Sequence, residues 1–418
     1  MCIHSQNPFF MSQNKQLGFD TVCIHGGHQL DAKRAHLTPI YATSTYTFDS
    51  AEHGDAIFSG KTPGYAYGRF GNPTVNEAED RIAMMEAYGI QDEKGNPLQL
   101  KAILHASGMG AIATMLLGNL KAGDKMLSHH SLYGGTQELL DKVICNLGIE
   151  IIIIDFHDIE KVKATIAADA AIKMMYIETP ANPTIQCVDL EVLTQIGKAN
   201  NLIVCADNTF ATPYLTQPFK YGVDFVMHST TKYLNGHGTA VGGILIGKDL
   251  DRMKTVINKT KNLLGANSNA FEAFLLTNGL RTFSLRMERH CTNGEQVAAF
   301  LEAHPAVETV YYLGLASHPD HTTAMKQMKH AGAMMSFELK GGLEAGKRFI
   351  NSLQLLTHAV SLGTCDTLLS HPASTTHAGV PREKRLEFGV SDGLIRMSVG
   401  LENVEDIIAD LTQALANA

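Results

Sequence analysis

A lysine and two hydroxyl side chains follow one short apolar run of this sequence. Ser229, Thr231 and Lys232 come directly after residues 225–228, and the glycines that follow favour a loop over a helix. Asp207 closes a second apolar run upstream. Because the carboxyl ends of parallel strands lie at one edge of a sheet, we expect an amine, a carboxylate and hydroxyls to meet there.

This set of side chains fits the chemistry of pyridoxal phosphate (PLP). The Lys232 amine can condense with the aldehyde, Asp207 can keep the pyridine nitrogen protonated, and the hydroxyls of Ser229 and Thr231 can bind the phosphate. Two other interpretations are a solvated surface lysine and the Ser-x-x-Lys nucleophile of penicillin-binding proteins. The second is disfavoured because that motif should open a helix, and its partner motifs Ser-Asp-Asn and Lys-Thr-Gly are absent.

Three further segments could complete the cofactor site. Gly108 and Met109 lie in a turn that follows a predicted strand and opens a helix, where backbone N–H groups can bind an anion. Tyr133 follows the next strand and could stack on the pyridine ring or transfer protons. Tyr67 and Arg69 stand two residues apart in a segment predicted to be extended, which would put a phenol and a phosphate-binding guanidinium on the same side.

Arg396 lies within the apolar run of residues 394–399. Burying a guanidinium without a partner is costly, so we expect an anion beside it. Both a substrate α-carboxylate and a structural ion pair would satisfy that expectation.

Composition excludes several classes of protein. The 418 residues suffice for two or three domains, and the net charge of −8 without a basic cluster disfavours nucleic-acid and membrane partners. Seven cysteines without a Cys-x-x-Cys pair predict a cytoplasmic location. No apolar stretch approaches the roughly 20 residues of a membrane span. The 19 histidines lack His-Glu-x-x-His spacing, so no metal is predicted.

Short apolar runs alternate with helical periodicity, which predicts an α/β fold with a seven-stranded, mostly parallel sheet. The predicted strands are residues 101–104, 125–128, 150–154, 174–177, 202–206, 225–228 and 242–246. The predicted helices are residues 76–88, 110–120, 135–146, 158–167 and 190–199.

Three parts are predicted along the chain: an N-terminal arm at 1–74 that contacts a neighbouring subunit, a large PLP-binding domain at 75–269, and a C-terminal α+β domain at 270–418. The last part should contain a long helix and four strands, at residues 270–303, 309–312, 333–339, 359–362 and 393–399.

Together these motifs resemble the trans-sulfuration family of PLP enzymes, which has the aspartate-aminotransferase fold (PLP fold type I). The similarity extends from about Asp20 to the C-terminus and includes Tyr-x-Arg-x-x-Asn-Pro-Thr, Ser-Gly-Met-Gly-Ala and Ser-x-Thr-Lys-Tyr-x-x-Gly-His-Gly. The resemblance implies a homotetramer built as a dimer of dimers. It also implies that Tyr67 and Arg69 reach the phosphate held by the adjacent subunit.

The same resemblance implies roles for individual residues. Lys232 would carry the cofactor and Asp207 would pair with its ring nitrogen. Asn182 would lie near the ring oxygen, and Ser361 and Arg396 would hold the substrate carboxylate.

Within this family the sequence looks most like methionine γ-lyases, in residues 178–183, 286–291, 359–363 and 371–374. Cystathionine γ-lyases tend to have an acid where Val360 stands, whereas an apolar side chain suits an uncharged thioether. The resemblance therefore implies a PLP-dependent carbon–sulfur lyase that converts methionine to methanethiol, 2-oxobutanoate and ammonia by α,γ-elimination. In this reaction Lys232 would act as the base and Tyr133 as the general acid.

Alternatives remain open at this stage. Methionine γ-lyases usually show Cys where Gly135 stands and Asp where Asn262 stands. O-acetyl- or O-succinylhomoserine sulfhydrylases and cystathionine γ- or β-lyases share the same cofactor chemistry. A PLP-binding protein without catalytic activity is the alternative from another class.

Overall fold

The structure is a computed structural model that describes residues 17–387 and 389–418. The first 16 residues of the predicted N-terminal arm lie outside the described part. The strands are β1 (Lys101–His105), β2 (Lys125–His129), β3 (Glu150–Ile154), β4 (Ile172–Glu178), β5 (Ile203–Asp207), β6 (Phe225–His228), β7 (Gly243–Gly247), β8 (Val307–Tyr311), β9 (Met334–Leu339), β10 (Thr357–His358), β11 (Leu368–Ser370) and β12 (Leu394–Ser398).

The helices alternate with these strands through the middle of the chain. They span Phe19–His25, Ala51–Phe58, Pro73–Glu86, Gly108–Asn119, Gly134–Leu139, Ile159–Ala168, Leu190–Ala199, Thr212–Leu215, Leu250–Arg252, Asn258–Leu264, Ala270–Arg281, Phe283–Glu302, His321–Gln327, Gly342–Ser352, Arg382–Glu387 and Val404–Leu415.

One compact unit contains the described residues up to Asn119 together with Ser229–Thr231 and Thr239–Ser284. Its strands β1 and β7 pair antiparallel over their full length. Helix Pro73–Glu86 of this unit begins where the side chain of Asn72 accepts the N–H of Thr74, with proline at the first helical position.

The other compact unit contains Leu120–His228, Lys232–Gly238 and Leu285–Ala418. Its five strands β6-β5-β4-β2-β3 are neighbours in that order, and all four pairings among them are parallel. The sheet of seven strands, in the order β1-β7-β6-β5-β4-β2-β3, is mostly parallel. The register of β4 and β5 sets Glu178 opposite Asp207, so these two carboxylates end neighbouring strands.

The second unit also contains a five-stranded sheet in the order β10-β11-β12-β9-β8. Strand β12 pairs antiparallel with both β11 and β9, which places Arg396 between Ser370 and Ser336. In the last helix, the Asp410 carboxylate accepts the backbone N–H groups of residues 354, 355 and 356 at 2.8–3.3 Å. This contact fixes the segment that leads into β10.

The sequence predictions for the parallel sheet are confirmed. All seven strands are present with ends within two residues of the predicted ones, and four of the five helices are present with ends shifted by up to three residues. The helix predicted at 135–146 continues from Leu139 through a π-helical segment at Leu140–Ile144. The division at residues 74 and 269 stays a prediction.

Two predictions for the C-terminal part are wrong. Residues 359–362 are not a strand, because the chain leaves the sheet after His358 and the carbonyls of Val360 and Ser361 turn to the Arg396 guanidinium instead. The helix predicted at 270–303 is broken at Thr282, whose backbone leaves helical geometry (φ −109°, ψ 9°). Within residues 17–387 and 389–418, no helix has the length and apolar character needed to cross a membrane.

Candidate active site

Polar side chains of the second unit gather beyond the carboxyl ends of its parallel strands. Glu178 ends β4 and Asp207 ends β5. Tyr133 follows β2, and Lys232 lies in the turn that follows β6. Ligands of open α/β sheets bind at this edge, so these four residues mark the candidate site.

The amine of Lys232 is the candidate nucleophile and base. Its Nζ donates to Ser361 Oγ at 3.2 Å. Burial, together with the positive charge of Arg396, lowers the pKa of Lys232 to about 8. A substantial fraction of the amine is therefore neutral near physiological pH, which both condensation with an aldehyde and proton abstraction require.

Arg396 is only 5% exposed and has neutral hydrogen-bond partners. Its Nη2 donates to the carbonyls of Val360 (3.0 Å) and Ser361 (2.9 Å), and its Nη1 donates to Asn182 Oδ1 (3.3 Å). Within the described part of the chain, Nε finds no acceptor and no carboxylate lies within ion-pair distance. An unsatisfied buried guanidinium N–H fits an anionic ligand better than the structural ion pair.

Asp207 is buried and is oriented by its neighbours. Its Oδ1 accepts the hydroxyl (2.6 Å) and the backbone N–H (3.0 Å) of Thr209, and Oδ2 accepts the Tyr176 hydroxyl at 3.4 Å. Burial raises the pKa of Asp207, while the bonds from Thr209 act in the opposite direction. A cationic ring nitrogen nearby would favour the ionised carboxylate.

Glu178 is a site residue to which the sequence analysis gave no role of its own. Its Oε2 accepts the N–H of Tyr133 at 2.8 Å and its Oε1 accepts the N–H of Asn182 at 3.1 Å. Burial and the neighbouring Asp207 raise the pKa of Glu178. The signal was available, because an acid closing a buried strand is also what identified Asp207.

The side chain of Tyr133 is 47% exposed, although its backbone is anchored by Glu178. Asn182 is held at both ends, since its N–H bonds Glu178 and its Oδ1 accepts from Arg396. The structure therefore brings Lys232, Ser361, Arg396 and Asn182 into one connected group.

In the first unit, Gly108 and Met109 begin helix Gly108–Asn119, as predicted. A Cβ on Gly108 would lie 3.1 Å from Ser229 Cβ, so the two predicted phosphate-binding segments touch. The Thr231 hydroxyl bonds the backbone of Gly242, accepting its N–H at 3.0 Å and donating to its carbonyl at 3.2 Å. Bare backbone beside hydroxyls suits a phosphate.

The segment with Tyr67 and Arg69 is not extended, so that prediction is wrong. Phe70 N–H donates to the Tyr67 carbonyl at 2.9 Å, which closes a tight turn. The Arg69 guanidinium still lies 5.7 Å from the Tyr67 ring centre and 5.0 Å from that of Phe70. It donates to the Asn262 carbonyl, and Lys261 Nζ donates to the Arg69 carbonyl at 3.2 Å.

These groups fit PLP, because the second unit offers a buried amine of lowered pKa and a buried carboxylate. The profile of the Cys/Met metabolism PLP-dependent enzymes matches residues 20–416. The chain belongs to this family. As a member, it is a PLP-dependent enzyme. An amino-acid substrate is consistent with this family.

This family member is similar to curated relatives over nearly its full length. It is 46% identical to the L-methionine gamma-lyase of Fusobacterium nucleatum subsp. nucleatum over 96% of the chain and 98% of that protein. It is 45% identical to the L-methionine gamma-lyase of Porphyromonas gingivalis over 95% and 97%.

A solved relative supports the fold of this family member. The cystathionine gamma-lyase of Lactobacillus plantarum, crystallised with L-serine, superposes with a TM-score of 0.87 at 35% identity. The match covers 96% of this chain and 99% of that one. The predicted PLP fold type I is thereby confirmed.

Proposed function

We propose that this enzyme is a carbon–sulfur lyase that converts L-methionine to methanethiol, 2-oxobutanoate and ammonia by α,γ-elimination. The buried Lys232 amine, 3.2 Å from Ser361 and electrostatically coupled to Arg396, is the observation that carries the proposal. The names and identities of the relatives from Fusobacterium nucleatum and Porphyromonas gingivalis support methionine as substrate.

Arg396 binds the substrate carboxylate in this proposal. Its Nε supplies an N–H that lacks an acceptor in the described structure, and Nη1 and Nη2 are held in place by Asn182 and the carbonyls of residues 360 and 361. A guanidinium fixed in this way binds a carboxylate with a defined orientation, so the α-carbon would be presented at a constant distance from Lys232.

Lys232 holds the cofactor and then moves protons. Bound PLP would supply an electron sink, and Asp207 would keep its ring nitrogen protonated. The freed amine of Lys232 removes the α-proton and then assists loss of a β-proton. Its pKa of about 8 allows the amine to accept a proton at neutral pH and to release it again.

Tyr133 is the proposed general acid that protonates the departing sulfur. Nearly half of the Tyr133 surface is exposed, while Glu178 accepts the Tyr133 backbone N–H at 2.8 Å. The same residue would stack on the cofactor ring, and Asn182 would hold the ring oxygen. Both positions depend on the Glu178 carboxylate.

Val360 favours an uncharged substrate in this proposal. Its side chain is 59% exposed, and its carbonyl binds the Arg396 guanidinium at 3.0 Å, so the side chain belongs to the wall next to the carboxylate subsite. An apolar residue there gives no partner to a distal ammonium group and suits a thioether.

The phosphate of PLP is proposed to bind at Gly108, Met109, Ser229 and Thr231, where bare backbone meets hydroxyls. The arm around Tyr67 and Arg69 would complete this site in an adjacent subunit of a homotetramer, a dimer of dimers. Exposed aromatic rings support that role, because Tyr67 and Phe70 lie at the surface of the described chain.

A cytoplasmic location completes the proposal. Cys145, Cys187, Cys291 and the part-exposed Cys365 are free thiols. Free thiols persist in a reducing compartment.

A substrate panel tests the function. Purified enzyme with PLP should release 2-oxobutanoate from methionine alone, and Lys232→Ala should abolish both this reaction and the visible band of the bound cofactor. Lys220→Ala, at an exposed lysine of the same unit, is the matched control. Homocysteine formed from an O-acylhomoserine only with added sulfide, without turnover of methionine, would show a sulfhydrylase instead. Bound PLP without any product would show a binding protein.

A further inference from the structure

One face of helix Phe283–Glu302 carries three buried polar side chains. Arg286, His290 and Asn293 follow one another at helical spacing, so they lie along one stripe. Arg286 bonds the backbone of the turn that follows Lys232. His290 and Asn293 bond the backbone that follows β12, the strand that contains Arg396.

Arg286 binds the turn that carries Lys232. Its Nη1 donates to the carbonyl of Tyr233 at 2.8 Å, and its Nη2 donates to the carbonyl of Leu234 at 3.4 Å. These are the two residues that directly follow Lys232. At 5% exposure the guanidinium is removed from water, where a charge-assisted hydrogen bond is strong and its loss is costly.

Gly236 lets the turn approach this guanidinium. Its backbone has φ +70°, and a Cβ at this position would lie 1.8 Å from Arg286 Nη1. Its N–H donates to the Lys232 carbonyl at 2.8 Å. The turn therefore closes on Lys232 at one end and on Arg286 at the other, and a side chain at position 236 would separate the two.

His290 and Asn293 extend the same contact towards Arg396. His290 Nδ1 bonds the Val399 carbonyl at 2.7 Å, and its ring meets the Tyr233 ring edge-on at 5.1 Å. Burial, assisted by the Arg286 charge, lowers the pKa of His290 to about 4, so the ring is neutral and donates that bond at physiological pH. Asn293 Nδ2 donates to the carbonyls of residues 400 and 402.

We propose that Arg286 is a positioning residue for Lys232: it fixes the turn at residues 232–236 so that the lysine amine meets both the cofactor and the substrate held by Arg396. This inference rests on the proposed function. A lysine at position 286 could reach one carbonyl as a point charge but lacks the planar fork that spans two. Misplacing a reacting group by about 1 Å can cost about a hundredfold in rate.

The test compares three variants of the holoenzyme. Arg286→Lys weakens the contact from the helix, and Gly236→Ala weakens it from the turn while Arg286 stays in place. Arg289→Lys, an exposed arginine of the same helix, is the matched control. Four quantities are measured for each: kcat, KM, the dissociation constant of PLP by dialysis, and the circular dichroism of the visible cofactor band. Melting temperature is recorded alongside.

We expect Arg286→Lys and Gly236→Ala to lower kcat at least about tenfold with little change in KM, because the substrate subsite at Arg396 is intact. PLP should dissociate about tenfold more readily, as expected for loss of one buried charge-assisted bond, and the visible circular dichroism should fall. Arg289→Lys should match the wild type.

Wild-type kcat, PLP affinity and circular dichroism in a folded Arg286→Lys enzyme would overturn the proposal. A lower melting temperature with these three unchanged would do the same, since Arg286 would then serve stability alone. Where Arg286→Lys does not fold, Gly236→Ala decides by the same readouts. PLP affinity and circular dichroism need no substrate, so they test Arg286 even if no amino acid in the panel reacts and the proposed function fails.

Discussion

Replacing Lys232 by methionine should stabilise the fold once PLP has been removed. Burial and the charge of Arg396 lower the pKa of this lysine from 10.5 to about 8. Each pKa unit corresponds to about 1.4 kcal/mol, so the buried ammonium costs the folded protein about 3 kcal/mol at pH 7. Losing the hydrogen bond to Ser361 offsets about 1 kcal/mol of the gain. A net stabilisation of about 2 kcal/mol is expected, because methionine has a similar length and no charge.

The pH dependence of the stability difference distinguishes removal of the buried ammonium from a change in packing. The folded-state pKa lies below the unfolded value, so the unfolded chain binds more protons between about pH 8 and pH 10.5. Wild-type stability therefore rises through that range relative to Lys232→Met. The advantage of the variant should be complete below about pH 8 and should vanish near pH 10, where the remaining cost of the ammonium equals that of the lost Ser361 bond.

Urea denaturation of the PLP-free proteins at pH 7 and pH 10 measures the difference in the free energy of unfolding. Protein concentration must be equal in all samples, because subunit association changes apparent stability. Lys220→Met, at an exposed lysine, is the control and should show no such pH-dependent gain. The reasoning is refuted if Lys232→Met is less stable than wild type at pH 7, or if its advantage is the same at both pH values.

Two further changes test the site. Glu178→Gln leaves one of the N–H groups of Tyr133 and Asn182 without an acceptor, so kcat/KM should fall about 10- to 100-fold in steady-state assays. The control, Glu150→Gln at an exposed strand position, should leave kcat/KM unchanged. Equal kcat/KM in both variants would exclude the role of Glu178. Val360→Asp should shift kcat/KM from methionine towards cystathionine, whose distal ammonium it can meet; a ratio unchanged between these substrates would show that residue 360 does not contact the side chain.

The sequence predicted the parallel sheet and its polar edge because both depend on local pattern. Apolar runs such as residues 150–154 and 225–228 define strands without reference to distant residues, and their bounds match the structure. Asp207 and Lys232 were predicted at one edge because parallel strands present their carboxyl ends together. Topology alone therefore predicts that both residues lie at this edge.

The incorrect strand at residues 359–362 and the unpredicted role of Arg286 both involve contacts between distant parts of the chain. Residues 359–362 have the composition of a strand, but their carbonyls bind Arg396, which lies more than thirty residues away in sequence. Arg286 belongs to a recognised motif, yet its partners at residues 233 and 234 lie about fifty residues upstream. Local propensity does not report such pairings.

The Asp410 carboxylate has a consequence for changing what the enzyme accepts. By receiving three consecutive N–H groups at residues 354–356, it anchors the main chain just ahead of Val360 and Ser361. Side-chain libraries at position 360 can therefore vary the wall of the pocket over a fixed backbone. Directed evolution that randomises the last helix would release that anchor, and selected clones should retain an acid at position 410.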